Sequence, residues 1–103
     1  LAALLTDVEA NRDYLVEYVT AHLPGVKCHR PEGTYLAWLD CREANLPGGP
    51  HKFFLEEARV ALNDGAEFGA GGEGFVRLNF GCPCATLAEA LERMREARER
   101  VSE

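Results

Sequence analysis

Phe75-Val76-Arg77-Leu78-Asn79-Phe80 lies between Gly74 and the closing Gly81-Cys82-Pro83, and its reading decides the fold. Phe75, Arg77 and Asn79 alternate with Val76, Leu78 and Phe80. Alternation of period two, bounded by glycine and proline, predicts a strand with two distinct sides. Arg77 sits in its middle. A guanidinium among apolar neighbours is costly unless a carboxylate or phosphate meets it. Its planar fork suits a carboxylate bound through two parallel hydrogen bonds. From the residues alone two partners stay open: a Glu or Asp of the same chain, which is the commoner outcome, or the acid group of a ligand.

Downstream, Thr86-Leu87-Ala88-Glu89 fits a capping box and opens a final helix, with Leu87, Ala90, Leu91, Met94 and Val101 at helical spacing. Its Glu89, Glu92, Glu96 and Glu99 interleave with Arg93, Arg95, Arg98 and Arg100, which predicts a solvated face of i,i+3 and i,i+4 pairs. Upstream, Gly65 to Gly74 is dense in glycine. It lacks the Lys-Ser/Thr ending of a P-loop and leads into a strand, so a mobile connecting loop is favoured over a phosphate cradle. Asn63-Asp64-Gly65 predicts a stop, and Val60–Leu62 either extends the preceding helix or forms a short strand. That helix, residues 51–59, buries Phe53, Phe54 and Ala58 after the Asn45–Pro50 loop.

Further upstream, Val26–Arg30 and Thr34–Cys41 flank Pro31-Glu32-Gly33 and predict a hairpin. Tyr35, Ala37 and Leu39 share one side, with Leu36, Trp38 and Asp40 on the other. Apolar residues on both sides predict a strand covered twice over most of its length. Residues 1–22 predict one helix, with Leu4, Leu5, Val8, Leu15, Tyr18, Val19 and His22 near one face and Tyr14 beside them. Thr6-Asp7-Val8-Glu9 would fit an internal cap, and Pro24-Gly25 ends the helix. The order is helix, hairpin, helix, short strand, strand, helix. This is an α+β, two-layer fold: a small mixed or antiparallel sheet with a hairpin, covered by helices, in a single domain over 1–103.

Seventeen acidic and 11 basic residues among 103 give a formal net charge of −6, which disfavours nucleic acid and anionic membranes as partners. No apolar run approaches the roughly 18 residues of a membrane span, and no signal-peptide layout is present, so a cytoplasmic setting is expected. Cys28, Cys41, Cys82 and Cys84 lack zinc-site spacing and are expected as reduced thiols without a metal. His22, His29 and His51 are scattered and form no catalytic or metal group. Lys27 and Lys52, the only lysines, have no context of a desolvated Schiff-base lysine. The chain opens on Leu1 in mid-helical pattern, which suggests a piece of something longer.

Four segments together resemble a known family: Asn11-Arg12-Asp13-Tyr14-Leu15, Pro31 through Arg42, Val60 through Gly69, and Gly74 through Pro83. In order and spacing they resemble the small C-terminal domain of fold type I pyridoxal-phosphate enzymes, within the MalY/PatB-type subgroup of class I/II aminotransferases, which includes cystathionine β-lyases. The resemblance implies a two-domain subunit and a homodimer, with pyridoxal 5'-phosphate on a Schiff-base lysine of a large domain that this chain does not contain. It implies an amino-acid substrate and gives Arg77 the role of gripping its α-carboxylate. It makes Val60–Leu62 a strand and puts the Gly65–Gly69 turn on the approach to the site, with Gly33 and Tyr35 close to the substrate. One departure is Cys84, where the subgroup commonly has Arg. By this reading the chain alone binds no cofactor and is inactive. It should also expose an apolar patch on the hairpin and Arg77 side. The alternative is a free-standing carboxylate-binding or regulatory module.

Overall fold

The computed structural model describes residues 8–28, 35–69 and 71–102. Helix α1 spans Val8–His22. Asn11, Leu15 and Val19 form its buried stripe at i, i+4 spacing, and Leu23 continues it. Tyr14 and Tyr18 pack at the margin of the core. His22, expected on the buried face, is exposed, because the stripe runs through Asn11 instead. The expected start of this helix, with Leu4, Leu5 and the Thr6 cap, lies outside the described residues, as do the hairpin turn with Gly33 and His29. The helix ends where Gly25 adopts φ +86°; a Cβ there would lie 2.6 Å from Ala44 Cα.

Strands β1 (Lys27–Cys28), β2 (Leu36–Asp40), β3 (Asn63–Asp64) and β4 (Phe75–Asn79) form one sheet in the order β1-β2-β4-β3. Every pairing is antiparallel. Ala37 and Leu39 of β2 face the core beside Val76 and Leu78 of β4, under the buried side chains of α1 and of helix α3 (Cys84–Ser102). The layer of helices therefore covers one side of the sheet.

The other side differs from expectation. Trp38 is 43% exposed, with Leu36 and Asp40 half-buried beside it, so this side of β2 is not covered as the core side is. Among the described residues the turn after β3 leans on that side, with Phe68 edge-on to Trp38 at 5.5 Å.

Helix α2 is a single turn, Pro50–Phe53, that widens into a π-helical turn at Phe54–Ala58. The first turn buries Phe53, and the wider turn buries the next residue, Phe54, together with Ala58. It closes at Arg59 in the left-handed region, φ 58°. Val60–Leu62 is not a strand. It diverges from β4 and leaves a hollow of about 340 Å³ lined by Leu62, Leu78, Cys82 and Leu87 among others. Pairing starts one residue later, so the expected stop at Asn63-Asp64 is itself the edge strand β3.

The glycine-rich connection is not an open loop. Gly65–Phe68 forms a 3-10 turn, capped by the Asp64 carboxylate accepting from Ala66 N–H at 3.1 Å. A Cβ on Gly65 would lie 2.5 Å from Gly72 O, so these glycines serve close approach of the backbone to itself. Helix α3 begins at Cys84, two residues before the expected cap, with the Pro83 carbonyl accepting from Thr86 and Leu87 N–H. Leu87, Leu91, Met94 and Ala97 are buried, whereas Val101 is 40% exposed because the core ends before the last turn.

Candidate functional site

Strand register builds the site. Arg77 in β4 stands opposite Trp38 in β2 and Asn63 in β3. Directly opposed residues share a side of the sheet, so all three lie on the side without helices. Arg77 Nε donates to Asn63 Oδ1 at 3.3 Å. Its guanidinium carbon stands 4.5 Å from the centroid of the Phe68 ring, a cation–π arrangement. Among the described residues no carboxylate pairs with Arg77, and its two Nη groups have no acceptor. Beside it, Trp38, Phe68, Phe75 and the glycine turn enclose an open hollow of about 300 Å³.

A second guanidinium occupies the same side. Arg42 lies over Phe75 at 4.9 Å, and its Nε and Nη2 donate to Asp40 at 2.9 and 2.8 Å. The bonds from Arg42 hold the Asp40 carboxyl at about 2, below its ordinary value.

Tyr35 precedes β2 and is 54% exposed, with its ring beside Gly81. Its carbonyl accepts from Phe80 N–H at 2.8 Å. In the alternation of β2 it goes with Ala37 and Leu39, so register gives it the opposite parity to Trp38 and Arg77.

The remaining candidates scatter. Lys27 is exposed and ion-paired with Glu43 at 2.5 Å, and Lys52 is exposed in α2. All four cysteines are free thiols. Burial raises Cys28 to about 11 and Cys41 to about 12, so both stay protonated and weakly nucleophilic at neutral pH. Among the described residues no group of three His, Cys, Asp or Glu could hold a metal ion. The charged face of α3 pairs as expected, with Arg93 on Glu89 and Arg95 on Glu92 and Glu99. Sequence reading missed Asn63 and Phe68 as neighbours of Arg77. The only signal for Asn63 was a register that no local pattern reveals.

No protein-family model matches the chain. A relative from Mycobacterium leprae is 48% identical over 110 aligned positions, covering 94% of this chain and 27% of its own length. Cystathionine β-lyase PatB of Bacillus subtilis is 38% identical, covering 94% of this chain and 25% of PatB. Among solved structures, cystalysin from Treponema denticola, which contains a pyridoxal 5'-phosphate cofactor, superposes with a TM-score of 0.82 at 31% identity. That match covers 91% of this chain and 24% of cystalysin. The helix-backed antiparallel sheet is thus the C-terminal domain fold of fold type I aminotransferases. Within that class the chain belongs with the MalY/PatB-type cystathionine β-lyases and related aminotransferases, and it spans about a quarter of their length.

Proposed function

We propose that this chain is the small domain of a pyridoxal-phosphate-dependent enzyme acting on amino acids, by carbon–sulfur β-elimination or by transamination. In this reading Arg77 grips the substrate α-carboxylate. The observation that carries it is a guanidinium on the uncovered side of the sheet whose Nη groups meet no acceptor among the described residues, in a chain homologous to such enzymes. Two parallel N–H···O bonds to a carboxylate fix both its position and its plane. Fixing the carboxylate limits rotation of the substituents at Cα, which is a positioning contribution to catalysis. Gly33 and Tyr35 are assigned to the substrate's approach.

This chain's own residues do not fit the cofactor. Both lysines are exposed, and the glycine turn leads into a strand instead of a helix N-terminus. The reading therefore assigns cofactor binding to the remaining three quarters of a family-length subunit. When bound there, the cofactor supplies an electron sink for the carbanion at Cα. The large domain, a second subunit of a homodimer and a cytoplasmic setting belong to the same proposal. Among the described residues no helix is long and apolar enough to cross a membrane.

Pyridoxal phosphate added to the 103-residue chain should leave no Schiff-base absorbance after gel filtration. A stoichiometric, lysine-specific adduct would overturn this division of labour. An upstream reading frame of roughly 250 or more residues with a lysine-bearing domain is expected. A start codon directly before Leu1 would select the free-standing carboxylate-binding module instead. In the family-length enzyme, Arg77→Gln should lower kcat/KM by about ten- to a hundredfold, the loss of a charged hydrogen-bond pair.

A further inference from the structure

The uncovered side of the sheet carries an internal control. Arg42 and Arg77 each lie over a phenylalanine ring, at 4.9 Å and 4.5 Å. They differ in what meets the Nε edge. Asp40, a carboxylate, takes both Nε and Nη2 of Arg42 and neutralises it. Asn63, a neutral amide, takes only Nε of Arg77 and leaves its charge in place.

We infer that Asn63 and Phe68 are positioning residues, which hold the Arg77 guanidinium so that its Nη1/Nη2 edge is the one presented to an external carboxylate. This rests on Arg77 being the carboxylate-binding group. A guanidinium has two edges that accept a carboxylate side by side, Nε/Nη2 and Nη1/Nη2. The bond from Nε to Asn63 Oδ1 occupies the first. The Phe68 ring covers one planar face, which fixes the tilt of the group without supplying a counter-charge. The edge that remains is Nη1/Nη2. The amide is the informative choice at position 63: its carboxylate isostere would close Arg77 as Asp40 closes Arg42. Neighbouring Asp64 is not free to do so in this geometry, because its carboxylate caps the turn at Ala66.

The test is an NMR titration of the 103-residue chain with sodium acetate at constant ionic strength, following the arginine Nε–H resonances. In the unaltered chain the Arg77 resonance should shift and that of Arg42 should not. Asn63→Asp should weaken acetate binding at Arg77 by about fivefold, the upper range for an exposed ion pair acting as competitor. Asn63→Ala should weaken it less, by about twofold. A merely structural role for Asn63 demands the opposite ranking, since Asp preserves its shape and Ala does not. Asp40→Asn should make Arg42 responsive. Phe68→Leu, which keeps bulk and removes the ring, should cost about twofold. If Arg77 responds and Asn63→Asp matches the unaltered chain, this inference fails while the reading of Arg77 stands. If Arg77 itself is silent to acetate, that reading fails and takes the inference with it.

Discussion

Asp40 shows how one carboxylate changes the chemistry of an arginine. Two bonds from Arg42 and the neighbouring positive charge hold the Asp40 carboxyl at about 2, whereas an unfolded aspartate ionises near 3.9. A depressed acid favours the folded state above the unfolded value and loses that contribution as pH falls through the folded one. The stability difference between the unaltered chain and Asp40→Asn should therefore be constant above pH 5 and shrink between about pH 4 and pH 2. Urea unfolding at a series of pH values measures it, and a difference that persists at pH 2 would show that the pair does not act through ionisation. Arg77, with an amide in place of that carboxylate, carries no such acid-linked contribution from position 63.

At the scale of elements, the site is held by a contact between distant segments. Asn11 is fully buried in α1, and its Nδ2 donates to the carbonyls of Phe80 at 2.9 Å and Cys82 at 2.6 Å. These carbonyls lie in the turn between β4, which carries Arg77, and α3. A second tie joins α1 to α3 at the surface, where Tyr18 O–H donates to Glu92 at 2.6 Å and accepts from Arg95 at 3.2 Å. Removing the buried donor leaves carbonyls unsatisfied. Asn11→Ala should cost about 1–3 kcal/mol in chemical unfolding. Tyr18→Phe, which loses one exposed and one part-buried bond, should cost less than about 1 kcal/mol. An equal loss in the two variants would contradict this ordering.

At the scale of the molecule, one side of the sheet packs the core and the other has no covering helix among the described residues. Trp38 and Phe68 are 43% and 52% exposed on the Arg77 side, whereas Tyr35, 54% exposed, has the opposite parity. Isolated apolar side chains on a surface are ordinary, but clustered aromatics favour association. The 103-residue chain should self-associate in a concentration-dependent manner in sedimentation velocity. Trp38→Lys should weaken that association about tenfold if the aromatic cluster is its centre. A monomer at all concentrations would mean that this side of the sheet is sufficiently solvated by its polar members, Asn63, Arg77 and the Asp40–Arg42 pair.

Local chemistry determined much of this protein. Alternation in Phe75–Phe80 and in the stretch around Trp38 specified strands, and the spacing of Leu87, Leu91 and Met94 specified a helix, because side-chain period follows directly from backbone geometry. Arg77 stood out for the same local reason, a charge set among apolar neighbours. Features that depend on juxtaposition were decided only by the tertiary structure. Asn63 meets Arg77 across 14 residues and Asn11 meets Cys82 across 71, and neither pairing leaves a periodic trace in the chain. The strand at Asn63–Asp64 and the bare side of Trp38 were likewise fixed by register and by what packs where. These are long-range consequences of burying one side of the sheet, and no window of neighbouring residues contains them.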